Sequence, residues 1–194
     1  MSQFTIISAA MLAVGANAVQ SFQDGTKESA IAEATYDNLK RSFLAANQWN
    51  CNVSFFQLSR EVAAPANKAW SYSYLPPPEW LSYIDIQDVS GNSVEFLSEG
   101  GKILTNTTTA VAKYRVNLAE GDLPAWLETA LVYWLAIHWA GPVSADSDTI
   151  AEVQALYKLN LGIAKLEDAR NNPPIRLIHR NNSNWYRAHQ GGRA

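Results

Sequence analysis

Glu95, Glu99, Glu120 and Asp122 are the residues of this 194-residue chain that could most simply do chemistry, since two carboxyl groups a few ångströms apart are the minimum equipment of a glycosidase. Such a pair works only if one member is held protonated while the other stays ionised. Nothing in the flanking sequence signals a raised pKa, so these four read as solvated loop carboxylates. His138, His179 and His189 lack the spacing that brings two imidazoles onto one metal. His138 lies in an apolar segment and reads as a hydrogen-bonded core histidine. Cys51, the single cysteine, excludes an intramolecular disulfide framework and a thiolate zinc site, and is expected to be a small buried apolar residue. The phosphate-cradling GxxxxGK[ST] loop is absent, as are the dinucleotide GxGxxG, the nucleophile-elbow GxSxG and the zinc-binding HExxH. The catalytic inventory is therefore thin, and no residue pattern calls for a cofactor.

Charge separates the chain into two parts. All 18 acidic residues precede residue 172, against 11 basic ones, whereas the last stretch, NNPPIRLIHRNNSNWYRAHQGGRA, holds four arginines and no acid. Arg176, Arg180, Trp185, Tyr186 and Arg187 could stack on bases and pair with phosphates. Four charges spread over such a length make a weak electrostatic footprint for nucleic acid. Arginine and aromatic anchors in a segment without periodicity fit a protein docking strip better. Extended, residues 173–194 would reach about 70 Å at ~3.3 Å per residue.

The elements that must position these groups follow from periodicity. An apolar run from Gln3 to Val14, stopped by Gly15, reads as an amphipathic helix. Ala16-Asn17-Ala18 imitates a signal-peptidase site, but no Lys or Arg precedes the run. Apolar residues at Ala32, Tyr36, Leu39, Phe43 and Ala46 predict a second helix over 26–47. Residues 51–118 alternate in VSFFQLS, WSYSY, IDI, VEFL and AKYRVNL, and predict short antiparallel strands broken by Pro76-Pro77-Pro78 and by glycine pairs. Helices return over 124–140, led by Pro124 and ended by Gly141-Pro142, and over 147–170. For the latter, Thr149 and Glu152 have capping-box spacing, and Leu156, Leu159, Ile163 and Leu166 form a stripe. The expected fold is α+β: an antiparallel bundle of about four helices with an inserted antiparallel β region, forming one domain over 1–172, and an extended C-terminal arm over 173–194.

LPAWLETALVYWLAIHWAGP, residues 123–142, is the most apolar of these segments. About 17 residues between Pro124 and Ala140, interrupted by Glu128 and His138, fall short of the ~20 that cross a bilayer. Apolar groups nonetheless occupy almost every face of the helix, which predicts burial on all sides. A core position accounts for part of this. A neighbouring subunit covering the rest is the sharper expectation, with Trp126, Tyr133, Trp134, Ile137 and Trp139 shared between core and subunit interface.

Three stretches together resemble one known family: AAMLAVGANAVQSFQDGTKESAIAEATYDNLKRSFLAANQWN, YSYLPPPEWLSYIDI, and DLPAWLETALVYWLAIHWAGPVSADSDTIAEVQALYKLNLGIAKLEDAR, covering most of residues 9–170. Their order of helix, Gly turn, helix closed by Trp-Asn, Tyr-x-Leu-Pro before a strand, then Leu-Pro and Ala-rich helices is similar to the head-to-tail adaptors of short-tailed phages, also called tail tubular protein A. Ala-Asn-Ala after Gly15, and the triple proline followed by Glu79-Trp80, depart from the family pattern. The resemblance implies a structural virion protein of the tail neck, a dodecameric ring beneath the portal that continues the DNA channel. It also implies a platform for the next tail component, of nozzle or tail tubular protein B type, and an arm that docks on the portal; Arg176, Arg180, Trp185, Tyr186 and Arg187 are the residues expected to anchor that contact. A net acidic body suits a lumen through which double-stranded DNA slides without specific binding, since a basic lining would hold phosphates. Two rivals stand beside this reading: a virion peptidoglycan hydrolase using Glu99 and Glu120, and a monomeric ligand-binding domain whose tryptophans line a pocket.

Overall fold

The computed structural model describes residues 2–171. Within them the chain is mixed helix and strand, with four helices and two small antiparallel sheets.

α1 (Gln3–Ala13) starts where Ser2 accepts a hydrogen bond from the Thr5 amide at 3.3 Å. It ends one residue short of Val14, with Gly15 at φ +73° and the Ala16 amide donating to the Met11 carbonyl at 3.0 Å. After a single 3₁₀ turn at Phe22–Asp24, α2 (Lys27–Ala46) opens with a capping box between Thr26 and Ser29. Of its predicted stripe, Ala32, Tyr36 and Phe43 are buried, Leu39 is half-buried and Ala46 is exposed.

The strands are β1 (Val53–Gln57), β2 (Tyr72–Tyr74), β3 (Trp80–Gln87), β4 (Phe96–Glu99), β5 (Lys102–Thr105) and β6 (Val111–Val116). They form two sheets, ordered β1-β6-β3 and β2-β5-β4, where one inserted region was expected. β5 carries little alternation and went unpredicted. It is created by its turn: Gly100 (φ +60°) and Gly101 (φ +75°) are the two positive-φ residues between the paired Glu99 and Lys102, as a tight two-residue hairpin requires. Tyr74, Ile86, Ile103, Ala112 and Tyr114 from the two sheets, with Leu58 and Ala110 from the residues flanking β1 and β6, share one apolar cluster.

The larger core belongs to the helices. α3 (Ala125–Ala140) packs against α1, α2 and α4 (Ser147–Asn171), and this cluster takes in Trp49 and Leu123 from the connections. Pro124 sits just before α3 with extended backbone. The start of α4 differs from expectation: Asp146, not Thr149, supplies the cap, accepting from the Thr149 amide at 2.8 Å and from its hydroxyl at 3.0 Å. A carboxyl group one turn earlier outcompetes the hydroxyl because it also favours the positive end of the helix dipole.

Candidate interaction surfaces

α3 finds most of its cover inside its own chain. Trp139 is buried and Trp126, Tyr133, Trp134 and Ile137 are half-buried, while only Ala125, Thr129 and His138 of the helix are exposed. The indole N–H groups are satisfied as burial demands: Trp139 donates to the Thr35 hydroxyl at 2.9 Å, Trp134 to the Leu39 carbonyl at 3.1 Å and Trp49 to the Phe43 carbonyl at 3.4 Å. The rings of Phe43, Trp49, Trp126 and Trp134 pack in sequence with centroids 5.6–6.1 Å apart, and Trp49 also borders a cleft of about 440 Å³ between the end of α2 and the end of α4. His138 corrects the core-histidine expectation: it is exposed, with Nδ1 2.8 Å from the Trp134 carbonyl and its ring 4.2 Å from the Trp134 ring. Its helix position one turn after Trp134 allows both contacts at the surface.

α4 is turned the opposite way from what its leucines suggest. Its buried residues are Val153, Ala164 and Asp168, with Tyr157 and Leu161 half-buried beside them. Leu159, Ile163 and Leu166 stand 61%, 45% and 52% exposed, and Leu156 is half-buried at their edge. Ala164 is fully buried in the core that α4 shares with α3, and Asp168 fixes the rotation. The Asp168 carboxyl group accepts from the Asn50 amide at 2.7 Å, the Asn50 side chain at 3.0 Å and the Cys51 amide at 3.0 Å. A buried carboxyl group with three donors cannot be rotated into solvent without stranding them. Asp168 was not singled out from the sequence. Its signal was available only as a break in the apolar pattern one turn before α4 ends. Cys51, expected to be buried, is half-buried at this clasp, and its thiol is pushed up to about 12 by burial and by the neighbouring Asp168, so it stays protonated and unreactive at neutral pH.

Further exposed apolar groups lie on the first sheet. Among the described residues β1 is an edge strand, paired only with β6, and carries Phe55, 59% exposed, on one face and Phe56, 36% exposed, on the other. Lys113, across the ladder, places its ammonium 5.8 Å from the Phe55 ring.

The carboxylates are dispersed. Glu99 ends β4 and accepts from Asn67 at 3.1 Å, near a cleft of about 370 Å³ that it lines with Glu61, Ser73 and Lys102. Glu61 is occupied by Lys102 at 2.8 Å and Ser73 at 2.6 Å, and its pKa is lowered by these hydrogen bonds. Glu120 stands beside α2, accepting from Lys40 at 2.8 Å and from the Tyr36 hydroxyl at 3.1 Å. Burial alone would raise its pKa; the hydrogen bond from Lys40, a local backbone bond, the Lys40 charge and Tyr36 outweigh it, and the net direction is down. Burial and Glu120 push the Tyr36 hydroxyl up. The bonds from Lys40 and Tyr36 thus favour the ionised form of Glu120.

No helix among the described residues is long and apolar enough to cross a membrane. Arg176, Arg180, Trp185, Tyr186 and Arg187, with His179 and His189, lie outside the described residues. No family model and no curated protein matches the chain.

Proposed function

We propose that this chain is a head-to-tail adaptor of a short-tailed phage: a structural virion protein that forms a ring beneath the portal, continues the DNA channel and carries the next tail component. The observation that supports it is the placing of exposed apolar groups on two unlike elements, Leu159, Ile163 and Leu166 of α4 and Phe55 and Phe56 of β1. A ring closed by rotation needs heterologous contacts, in which one surface of a subunit meets a different surface of the next. In this reading the four helices form a bundle that builds the ring wall. The interface role foreseen for α3 passes largely to α4, because α3 keeps its large side chains in its own core. The arm over 173–194 docks on the portal through Arg176, Arg180, Trp185, Tyr186 and Arg187, and DNA passes the acidic body without specific binding.

Electron microscopy of the protein mixed with portal rings of the same virus tests the reading. An added layer with the portal's rotational symmetry is the expected result, and truncation after Asn172 should abolish it while leaving a folded body. Bare portal rings beside free monomer would overturn the proposal.

A further inference from the structure

α4 leaves Leu159, Ile163 and Leu166 in solvent and ends at Asn171, where a 23-residue segment with a different composition begins. Pro173-Pro174 opens that segment, and two consecutive prolines both stop a helix and favour polyproline II geometry. With three residues per turn, that geometry places side chains i and i+3 on one side, about 9 Å apart at ~3.1 Å per residue. Ile175 and Ile178 have this spacing. On α4, Leu159 and Leu166 are about 10 Å apart along the axis at 1.5 Å per residue, with Ile163 between them. The two apolar rows match in length.

Charge points the same way. The segment carries four arginines and no acid, whereas the residues up to 171 carry 18 acidic groups against 11 basic ones. Glu152, on the same face of α4 as Leu159 and exposed, offers these arginines an acidic partner beyond the stripe.

We infer that the α4 stripe is the docking site of the chain's own C-terminal segment, with Ile175 and Ile178 seated on Leu166, Ile163 and Leu159. A helix from a second copy could also lie on such a stripe, but it arrives from solution at its bulk concentration. The tethered segment arrives at an effective concentration on the order of millimolar. In the isolated chain the tether wins. One consequence rests on the adaptor reading: the segment cannot lie on α4 and on a portal at once, so docking on the portal uncovers the stripe for a neighbouring subunit.

Cysteine cross-linking in the full chain tests the docking without any portal, so its failure and a failure of ring formation are read separately. In a Cys51→Ala background, Ile178→Cys is combined with either Leu159→Cys or Lys158→Cys; both α4 positions are exposed, but they are about 100° apart around the helix. The expected result is rapid intramolecular disulfide formation with the 159 position and a large loss of rate with the 158 position. Equal rates would show an undirected tail, and an intermolecular disulfide at 159 would assign the stripe to a second copy; either overturns the proposal. Amide exchange over residues 175–178, slowed in the intact chain and fast in the Leu159→Ser/Ile163→Ser double variant, is the second expected result. Unchanged exchange in that variant would also overturn it.

Discussion

α3 and α4 lie side by side, and composition alone ranks them the wrong way round for surface behaviour. α3 is apolar on nearly every face and exposes no large apolar side chain, because α1, α2 and α4 surround it. α4 alternates polar and apolar residues, as a helix half-covered by its own core should, yet shows its largest aliphatic groups to solvent. The difference is set by two residues. Ala164 is the small residue that α4 buries in the shared core, and Asp168 ties its last turn to the bend between α2 and β1. Apolar content reports how much of a helix is covered, whereas small residues and buried hydrogen-bonding groups decide which side.

The comparison is sharpened most by Trp139→Ala, which empties the side of α3 packed on α2 and should lower the unfolding free energy by about 3–5 kcal/mol in denaturant titration. Asp168→Ala comes next. Removing the acceptor strands the Asn50 and Cys51 amides and should cost about 2–3 kcal/mol; a loss below ~0.5 kcal/mol would remove the clasp as the reason for α4's rotation.

Glu120 gives a smaller effect with a defined pH signature. Its folded pKa lies below the ordinary 4.5, so its contribution is full above that value and is lost as pH falls through the lower folded pKa. Glu120→Gln should therefore destabilise at neutral pH by about 1–3 kcal/mol, leaving Lys40 buried without its carboxylate, and reduce the loss of stability on acidification. Unfolding curves on either side of that pKa check both signs. Smallest of all, Leu159→Ser in a chain truncated after Asn172 should change stability by less than about 0.5 kcal/mol, because without the C-terminal segment the side chain is in water. A cost comparable to Trp139→Ala in that truncated chain would mean that Leu159 belongs to the core of the body.

The helices were legible because apolar spacing, Gly15, the Thr26 cap and Gly141 act within a few residues of one another. Thr149 was misread as a cap since Asp146 has equal claim in sequence and wins on charge. β5 was hidden because a short strand between glycines is made by its turn and its partners β2 and β4. Of the candidate surfaces, the leucine row of α4 was visible as a row but not as an exposed one. Its direction depends on Asp168 meeting Asn50 and Cys51, a contact between residues more than a hundred positions apart. Glu120 looked like a free acid for the same reason, since Lys40 and Tyr36 reach it from α2.

The Asp168 clasp also fixes how the molecule answers a pull. Tension applied at residue 172 loads α4 first, and only the turn after Asp168 is free to peel. Beyond it the load divides: one part runs up α4, the other crosses the three hydrogen bonds into the bend at Asn50 and Cys51, and from there into α2 and β1. Those bonds share the force between distant parts of the body instead of yielding one helical turn at a time. A tether fastened at residue 172 is thus anchored to the core as a whole, and its rupture should be a single high-force event, with Asp168→Ala converting it to a gradual one at lower force.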